Sequence, residues 1–351
     1  MALLATVAAV LAATATTPEV VRGPVATQVT NRGAVVAWRL GQTADQALLV
    51  GRRTYRVGTP RDAVVRLTGL VPGRRYPYAI QAGERIVARG SLRAAPTPAG
   101  RFRAAVFGDH GTGGDGQRAV VRLAAGWRPD VLILPGDQVY PLTLDLLLEP
   151  NFFRPLRPLL RRAALVPALG NHEQVLTGGR TFLGALELRG AERWYLERYG
   201  SAALLVLDSN TSLAPGTAQG SFLARAAAAA GQSCFRVAVL HHPPYAPSSD
   251  TLAAGLRRDL LPVLRRHGFQ LLLLGHVHAY ERTVPIDGMT HVAVGTGGAE
   301  IGGVRWTTAP LAASSYGRFG ALRLDVGPRV ATGAFVTVDG TVRDRFSVRC
   351  Q

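Results

Sequence analysis

Five short apolar runs in this chain break off into the same kind of ending, a cluster of residues that offers oxygen or nitrogen ligands. Arg103–Phe107 runs into Gly108-Asp109-His110-Gly111, and Asp130–Leu134 into Gly136-Asp137-Gln138-Val139-Tyr140. Ala164–Leu169 runs into Gly170-Asn171-His172-Glu173, Phe235–Leu240 into His241-His242-Pro243, and Leu271–Leu274 into Gly275-His276-Val277-His278. Runs so short and so apolar read as buried strands. Helical stretches at Gln117–Ala125, Asn151–Ala163 and Leu252–His267 lie between them. Strands alternating with helices predict an α/β domain, and in such sheets the working residues collect just past the strand ends. Further strands are expected at Leu204–Leu207 and His291–Val294. Tyr316–Cys350, with its Val338-Asp339-Gly340 turn, should close the domain with antiparallel strands.

Ahead of this domain the pattern is different. Ala34–Leu40, Val64–Leu67 and Tyr76–Ile80 are short strands punctuated by glycine and proline, which predicts an all-β sandwich. The Trp38 strand and the turn Leu70-Val71-Pro72-Gly73-Arg74-Arg75-Tyr76 resemble a fibronectin type III module. Ala94–Gly100 reads as a linker. The expected organisation is a leader over residues 1–19, a β-sandwich over 20–98 and an α/β domain over 99–351.

The leader is apolar from Ala2 to Ala15, too short to span a bilayer, and ends in Ala13-Thr14-Ala15, a signal-peptidase type of pattern. No basic residue precedes Arg22, so the positive flank of a signal peptide is missing. Export to a secreted, periplasmic or surface location is the expectation, with a frayed cytoplasmic leader as the alternative. No other stretch has the length and apolarity of a membrane helix. All 40 basic residues are arginine, giving a net charge of +17, and they fall in scattered pairs such as Arg52-Arg53 and Arg161-Arg162. That favours small anionic substrates in general and gives no sign of a specific nucleic-acid footprint. Cys234 and Cys350 either pair as one disulfide or stand as separate thiols.

Each ligand-type cluster has an ordinary reading when taken alone: a turn aspartate at Asp109, a capping asparagine at Asn171, a packed and an exposed histidine at 276 and 278. All five stand behind strands, and carboxylate, amide oxygen and imidazole together suit first-row metals. The set resembles the signature blocks of the calcineurin-like metallophosphoesterases, and of the purple acid phosphatases in particular. Position 111 is glycine where many relatives have a histidine, and Tyr140 is present to replace that donor. Gly275–Arg282, Trp194-Tyr195, Tyr199-Gly200 and Leu207-Asp208-Ser209-Asn210 are similar to the same group, as is a fibronectin-like module ahead of the catalytic domain.

The resemblance implies a layered α/β metallophosphoesterase domain with two metals. One would be held by Asp109, Asp137, Tyr140 and His278, the other by Asp137 as bridge with Asn171, His241 and His276. It implies iron(III), which a tyrosine phenolate favours, paired with divalent zinc, iron or manganese. The activity implied is hydrolysis of phosphate monoesters, acid-phosphatase fashion, with a metal-bound hydroxide attacking phosphorus in line. His172 would protonate the leaving alkoxide or bind the phosphoryl group. Glu173 would orient His172 or a ligand, or simply be solvated, and His242 would touch substrate or pack. His110 should point away from the metals by strand alternation. The segment Pro247-Ser248-Ser249-Asp250 lacks a histidine that relatives place past the fourth block, which leaves a phosphodiesterase or nucleotide hydrolase as the alternative. A non-catalytic adhesion protein is the rival outside the hydrolases.

Overall fold

The computed structural model describes residues 18–186, 193–245, 251–302 and 305–350, so the expected leader lies almost wholly outside the described residues. Seven strands fill the N-terminal part: β1 (Val20–Thr27), β2 (Gly33–Leu40), β3 (Gln46–Val50), β4 (Arg53–Gly58), β5 (Asp62–Thr68), β6 (Arg75–Ala82) and β7 (Arg85–Arg93). Strand β5 shows why they form: Ala63, Val65 and Leu67 point inward in strict alternation with exposed residues, the period of a half-buried strand. The order β4-β3-β6-β7 makes one layer, and β1-β2-β5 lies in the other. Trp38, Leu48 and Ile80 are buried between them, and the Trp38 indole N–H donates to Gln46 (2.6 Å). The Tyr76 hydroxyl accepts from the Val71 backbone N–H at 2.8 Å, which pins the corner that Pro72-Gly73 turns.

The β1-β2-β5 layer is not a separate sheet. Its edge strand β1 pairs in parallel with β10 (Ala164–Ala168), at Ala26 against Ala164. With β8 (Phe102–Val106), β9 (Val131–Pro135), β18 (Gly320–Val326), β19 (Val330–Thr337) and β20 (Val342–Arg349), a nine-stranded sheet results, in the order β20-β19-β18-β8-β9-β10-β1-β2-β5. The stretch read as a linker begins packed and then emerges: Ala94 and Ala95 are buried and donate their N–H groups to the Arg74 and Thr30 carbonyls, while residues 97–99 are exposed.

A second sheet takes β11 (Tyr195–Tyr199), β12 (Ala202–Val206), β13 (Phe235–Val239), β14 (Leu271–Leu274), β15 (Tyr280–Thr283), β16 (Thr290–Val294) and β17 (Leu311–Ser315), ordered β11-β12-β13-β14-β16-β15-β17. The expected α/β architecture is thus present, with two sheets facing each other. Alternate residues of β12 show the division of labour. Leu204 and Val206 join the core shared with Ala104, Val106, Ile133 and Val166 of the first sheet. Ala203 and Leu205 turn the other way, against Leu223, Ala227, Leu256 and Leu264 of the outer helices. The expected helix Leu252–His267 is two, Thr251–Asp259 and Leu261–Arg266, because Pro262 cannot continue the first.

The central strands β8, β9 and β10 run parallel, as do β12, β13, β14 and β16. Their carboxyl ends therefore open onto one edge of the sandwich. Asp109, Asp137 and Asn171 follow β8, β9 and β10 of the first sheet, and His241 and His276 follow β13 and β14 of the second.

Candidate metal centre

Three of these five side chains are aimed by a sharp turn of the backbone just after a strand. Asp109, Asp137 and His276 all have left-handed backbone conformations, with φ of 55°, 53° and 67°. Such φ values are costly for residues with a Cβ and persist where the surroundings enforce them. A glycine precedes each of the three. Gly136 has φ 94°, and a Cβ there would stand 2.4 Å from the His241 ring. A Cβ on Gly170 would lie 2.1 Å from Asp137 Oδ1. The glycines are therefore what lets the two sheets' donors approach one another.

The seven residues expected as ligands meet. The Tyr140 hydroxyl donates to Asp137 Oδ2 at 2.9 Å and lies 3.4 Å from Asp109 Oδ1 and 3.2 Å from His278 Nε2. On the other side, Asn171 Oδ1 is 3.0 Å from His241 Nε2 and 3.2 Å from His276 Nδ1. Asp137 Oδ2 is 3.3 Å from His241 Nε2. One carboxylate oxygen thus touches both groups. Donor atoms of Asp109, Asp137 and His241 lie within 4.8 Å of one another, as do those of His241, His242 and His276.

The hydrogen bonds on the far side of the rings fix what each histidine presents. His241 Nδ1 donates to the Pro135 carbonyl (2.9 Å) and His278 Nδ1 to the Glu300 carbonyl (2.5 Å). Their Nε2 atoms face inward, the arrangement by which protein carbonyls orient metal-ligating imidazoles. His242 Nδ1 is hydrogen-bonded with the Ser209 hydroxyl (2.8 Å), whose oxygen also accepts from the His242 backbone N–H (3.1 Å). The His242 ring is packed against His276, with centroids 4.5 Å apart.

Electrostatics mark the site as built for positive charge. Burial by itself disfavours a charged His241, but Asp137 and then Asp109 push its pKa up to about 10. Burial would likewise raise the Asp137 carboxyl; His241, then His172, outweigh it and hold it below the ordinary carboxylate range. Burial, followed by Asp109 and Asp137, pushes the Tyr140 phenol far above its usual value. The His278 pKa is raised by its contact with Asp109. Two buried carboxylates and a buried imidazolium leave the proton standing where a cation would. The donor set of carboxylates, amide oxygen, imidazoles and a phenol fits transition-metal ions.

His172 stands over this cluster. Its backbone N–H donates to Asp137 Oδ1 (3.0 Å) and its Nδ1 to the Pro141 carbonyl (2.5 Å). Nε2 then faces the site, 3.8 Å from Asp137 Oδ2, on a partly exposed ring 4.2 Å from that of Tyr140. Glu173 is fully buried and touches neither His172's ring nor a ligand's side chain. Its carboxylate accepts from the backbone N–H groups of Gln138 (2.9 Å), Val139 (3.2 Å) and Gly170 (2.9 Å), tying the second block to the third. Burial, then Asp137, pushes its pKa up to about 7. His110 points away from the cluster, held by Gln138 (2.8 Å) and Gln117 (3.0 Å). The segment without the additional histidine, 246–250, lies outside the described residues.

Sequence reasoning gave no role to several residues that shape the site. Gln138 braces His110, and Asn151 donates to the Tyr140 carbonyl (2.9 Å). Asn210 donates to the Gly170 carbonyl (3.2 Å), while the Ser209 hydroxyl holds His242 Nδ1 (2.8 Å). Trp306 lies 5.8 Å from the His276 ring, its backbone N–H held by the buried Glu281 carboxylate at 2.7 Å. Ser209 and Asn210 lie in the Leu207–Asn210 block already singled out, a usable signal. Gln138 lies within the second block, and nothing in sequence marks Asn151 or Trp306.

A family model described as calcineurin-like phosphoesterase matches residues 102–280. No protein of curated function matches in sequence. Among solved structures, the purple acid phosphatase PPD1 from yellow lupin (Lupinus luteus) seeds superposes with a TM-score of 0.77 at 19% identity, over 95% of this chain and 74% of that one. PhoD gives a TM-score of 0.72 at 13% identity, covering 94% and 90%. GAP50, the anchor in the inner membrane complex of Plasmodium, gives 0.60 at 17% identity, covering 72% and 89%. At these identities the likeness is one of fold.

Proposed function

Because the chain belongs to the calcineurin-like phosphoesterase family, we propose that it hydrolyses phosphate monoesters at a two-metal centre. The observation that carries this is the Asp137 carboxylate. One of its oxygens lies within hydrogen-bonding reach of Tyr140 and beside His241, so it links two donor groups, each of which takes residues from both sheets. Asp109, Asp137, Tyr140 and His278 would hold one metal; Asp137, Asn171, His241 and His276 the other. A phenolate is a hard oxygen donor, so the Tyr140 group would favour iron(III), with zinc, iron or manganese in the second. Bound there, the cations supply Lewis-acid polarisation of the ester and water of lowered pKa.

The chain's own residues do the rest. The carbonyls behind His241 and His278 keep their rings from rotating, and Glu173 holds residues 138–139 and 170 in fixed relation. His172, with its Nδ1 proton committed to Pro141, has Nε2 free to carry a proton to the departing alkoxide oxygen. His242, packed against the His276 ring, would line the site and touch substrate. The absence of a histidine across Pro247–Asp250 favours one second reading, a diesterase on the same centre.

The Cys234–Cys350 disulfide supports export, since such bonds persist in oxidising compartments. Among the described residues no helix is long and apolar enough to cross a membrane. The fibronectin-like reading of residues 20–98 and the catalytic span 99–351 belong to the same proposal.

Metal analysis with a visible spectrum, followed by turnover of p-nitrophenyl phosphate and its bis-ester, tests these points. The expected result is about two metals per chain, as two-metal hydrolysis requires, a purple phenolate-to-iron band and preference for the monoester. Two metals without colour would remove iron(III). Preference for the bis-ester would install the diesterase, and no tight metal after reconstitution would overturn the proposal.

A further inference from the structure

On the edge of the sandwich away from the metal donors, the amino-terminal end of β8 opens into a cleft of about 510 Å³. Arg93, Arg101, Arg103 and Arg128 line it, with only Asp130 and Asp325 as acidic groups. Neither carboxylate has charge to spare. Asp130 pairs with Arg93 (2.9 Å) and is also taken by Arg75; Asp325 pairs with Arg103 (2.6 Å) and with Arg323 (3.1 Å). Arg101 and Arg128 make no ion pair among the described residues. Arg162 nearby has its pKa lowered, first by burial and then by the charges of Arg75 and Arg128, so the cations repel one another.

The backbone gives a second, independent sign. Arg128 follows the end of the helix Asp115–Gly126, after the capping residue Trp127, and has φ 54°. That position is ordinarily glycine, because a Cβ is strained there. Here the strain is kept together with an arginine whose guanidinium meets no partner among the described residues. Arg103 fixes the wall between them, donating to the Trp127 carbonyl (2.8 Å) as well as to Asp325.

We propose that this cleft is a second anion site, remote from the metal centre, which binds an oligophosphate through Arg93, Arg101, Arg103 and Arg128. Guanidinium forks match phosphate oxygens two at a time. The volume lies in the range of small-ligand sites and exceeds what a single phosphate fills. An anion with several charges would relieve the excess that the two carboxylates leave. The proposal does not depend on the reaction assigned to the metal centre.

The test is equilibrium binding of the methylene-bridged, non-hydrolysable analogue of tripolyphosphate to the metal-loaded protein, with three proteins compared. These are the wild type, the double variant Arg101→Gln/Arg128→Gly, and the control Arg52→Gln/Arg53→Gln, which removes the same charge elsewhere. Glycine suits φ 54°, so the double variant should fold at least as well, with unfolding midpoint and monoester turnover unchanged. The expected result is that the double variant loses one equivalent of binding, or binds at least tenfold more weakly, while the control matches the wild type. Equal binding by wild type and double variant overturns the site. An equal loss in the control reduces the effect to net charge and overturns it too. Absence of monoester turnover in all three proteins would strike the proposed function and leave this comparison intact.

Discussion

Replacing Gly170 by alanine tests the geometry of the metal centre with a single methyl group. The added carbon would lie 2.1 Å from Asp137 Oδ1, 2.3 Å from the Asp137 backbone nitrogen and 2.9 Å from its Cγ. Two of these atoms belong to a short carboxylate side chain and the third to backbone, so no flexible end can swing aside. The strand ends bearing residues 137 and 170 must separate by about 1 Å. That separation strains the bond from the His172 N–H to Asp137 Oδ1 and the grip of Glu173 on Gly170 and Gln138. Overpacking of this kind costs about 1–3 kcal/mol of stability. A displacement of about 1 Å in a catalytic constellation costs about 100-fold in rate. Gly126→Ala is the control: a Cβ there meets nothing within 4 Å, and alanine in a helix is favoured over glycine by about 0.5–1 kcal/mol. The assay is metal content, urea unfolding and monoester turnover for both variants. Gly170→Ala with full metal content and turnover within twofold of wild type would refute the placement of Asp137 at the heart of the site.

Three further outcomes are expected. His172→Ala should lower kcat by about 100-fold or more, the usual worth of a general acid, with metal content unchanged; loss of metal would give His172 a different role. His291 is buried with neither ring nitrogen hydrogen-bonded, and burial lowers its pKa from 6.5 to about 4. The fold favours the neutral ring, so stability is complete above about pH 6.5 and falls as pH drops toward 4, by about 3 kcal/mol in all. Urea midpoints at pH 7 and pH 4 should show this fall, and His291→Leu should flatten it. Cys234 and Cys350 close a 116-residue separation, so Cys234→Ser/Cys350→Ser should lose about 2–5 kcal/mol in urea unfolding.

The five blocks were legible because each is local: an apolar strand, a turn, a donor. The strand reading of Ala34–Leu40 and Leu271–Leu274 rests on the same short-range pattern, and the structure has strands at Gly33–Leu40 and Leu271–Leu274. What depends on pairing between distant residues was not legible. No periodicity announces that Ala26 lies against Ala164, so the pairing of β1 with the central sheet could not be read beforehand. The division of the donors between two sheets was equally hidden, because alternation shows that β12 has two faces and not which partner covers each. Glu173 is the instructive residue. Its place beside Asn171 and His172 suggested service to a ring, but its carboxylate goes to three backbone N–H groups, two of them more than 30 residues away in sequence.

The backbone carries one more piece of the argument. Asp109, Asp137 and His276 would each sit without strain if they were glycine, since left-handed conformations cost other residues about 1–2 kcal/mol. Glycine at those positions would relax the turn and delete the donor. The chain instead places glycine one residue earlier, at 108, 136 and 275, and leaves the strain on the residue with the side chain. A fold under pressure only for stability would have no reason to keep that order at three strand ends drawn from two sheets. The strain therefore points to function independently of the donor chemistry. It also explains why Gly-Asp and Gly-His, unremarkable as dipeptides, were the part of the sequence that located the site.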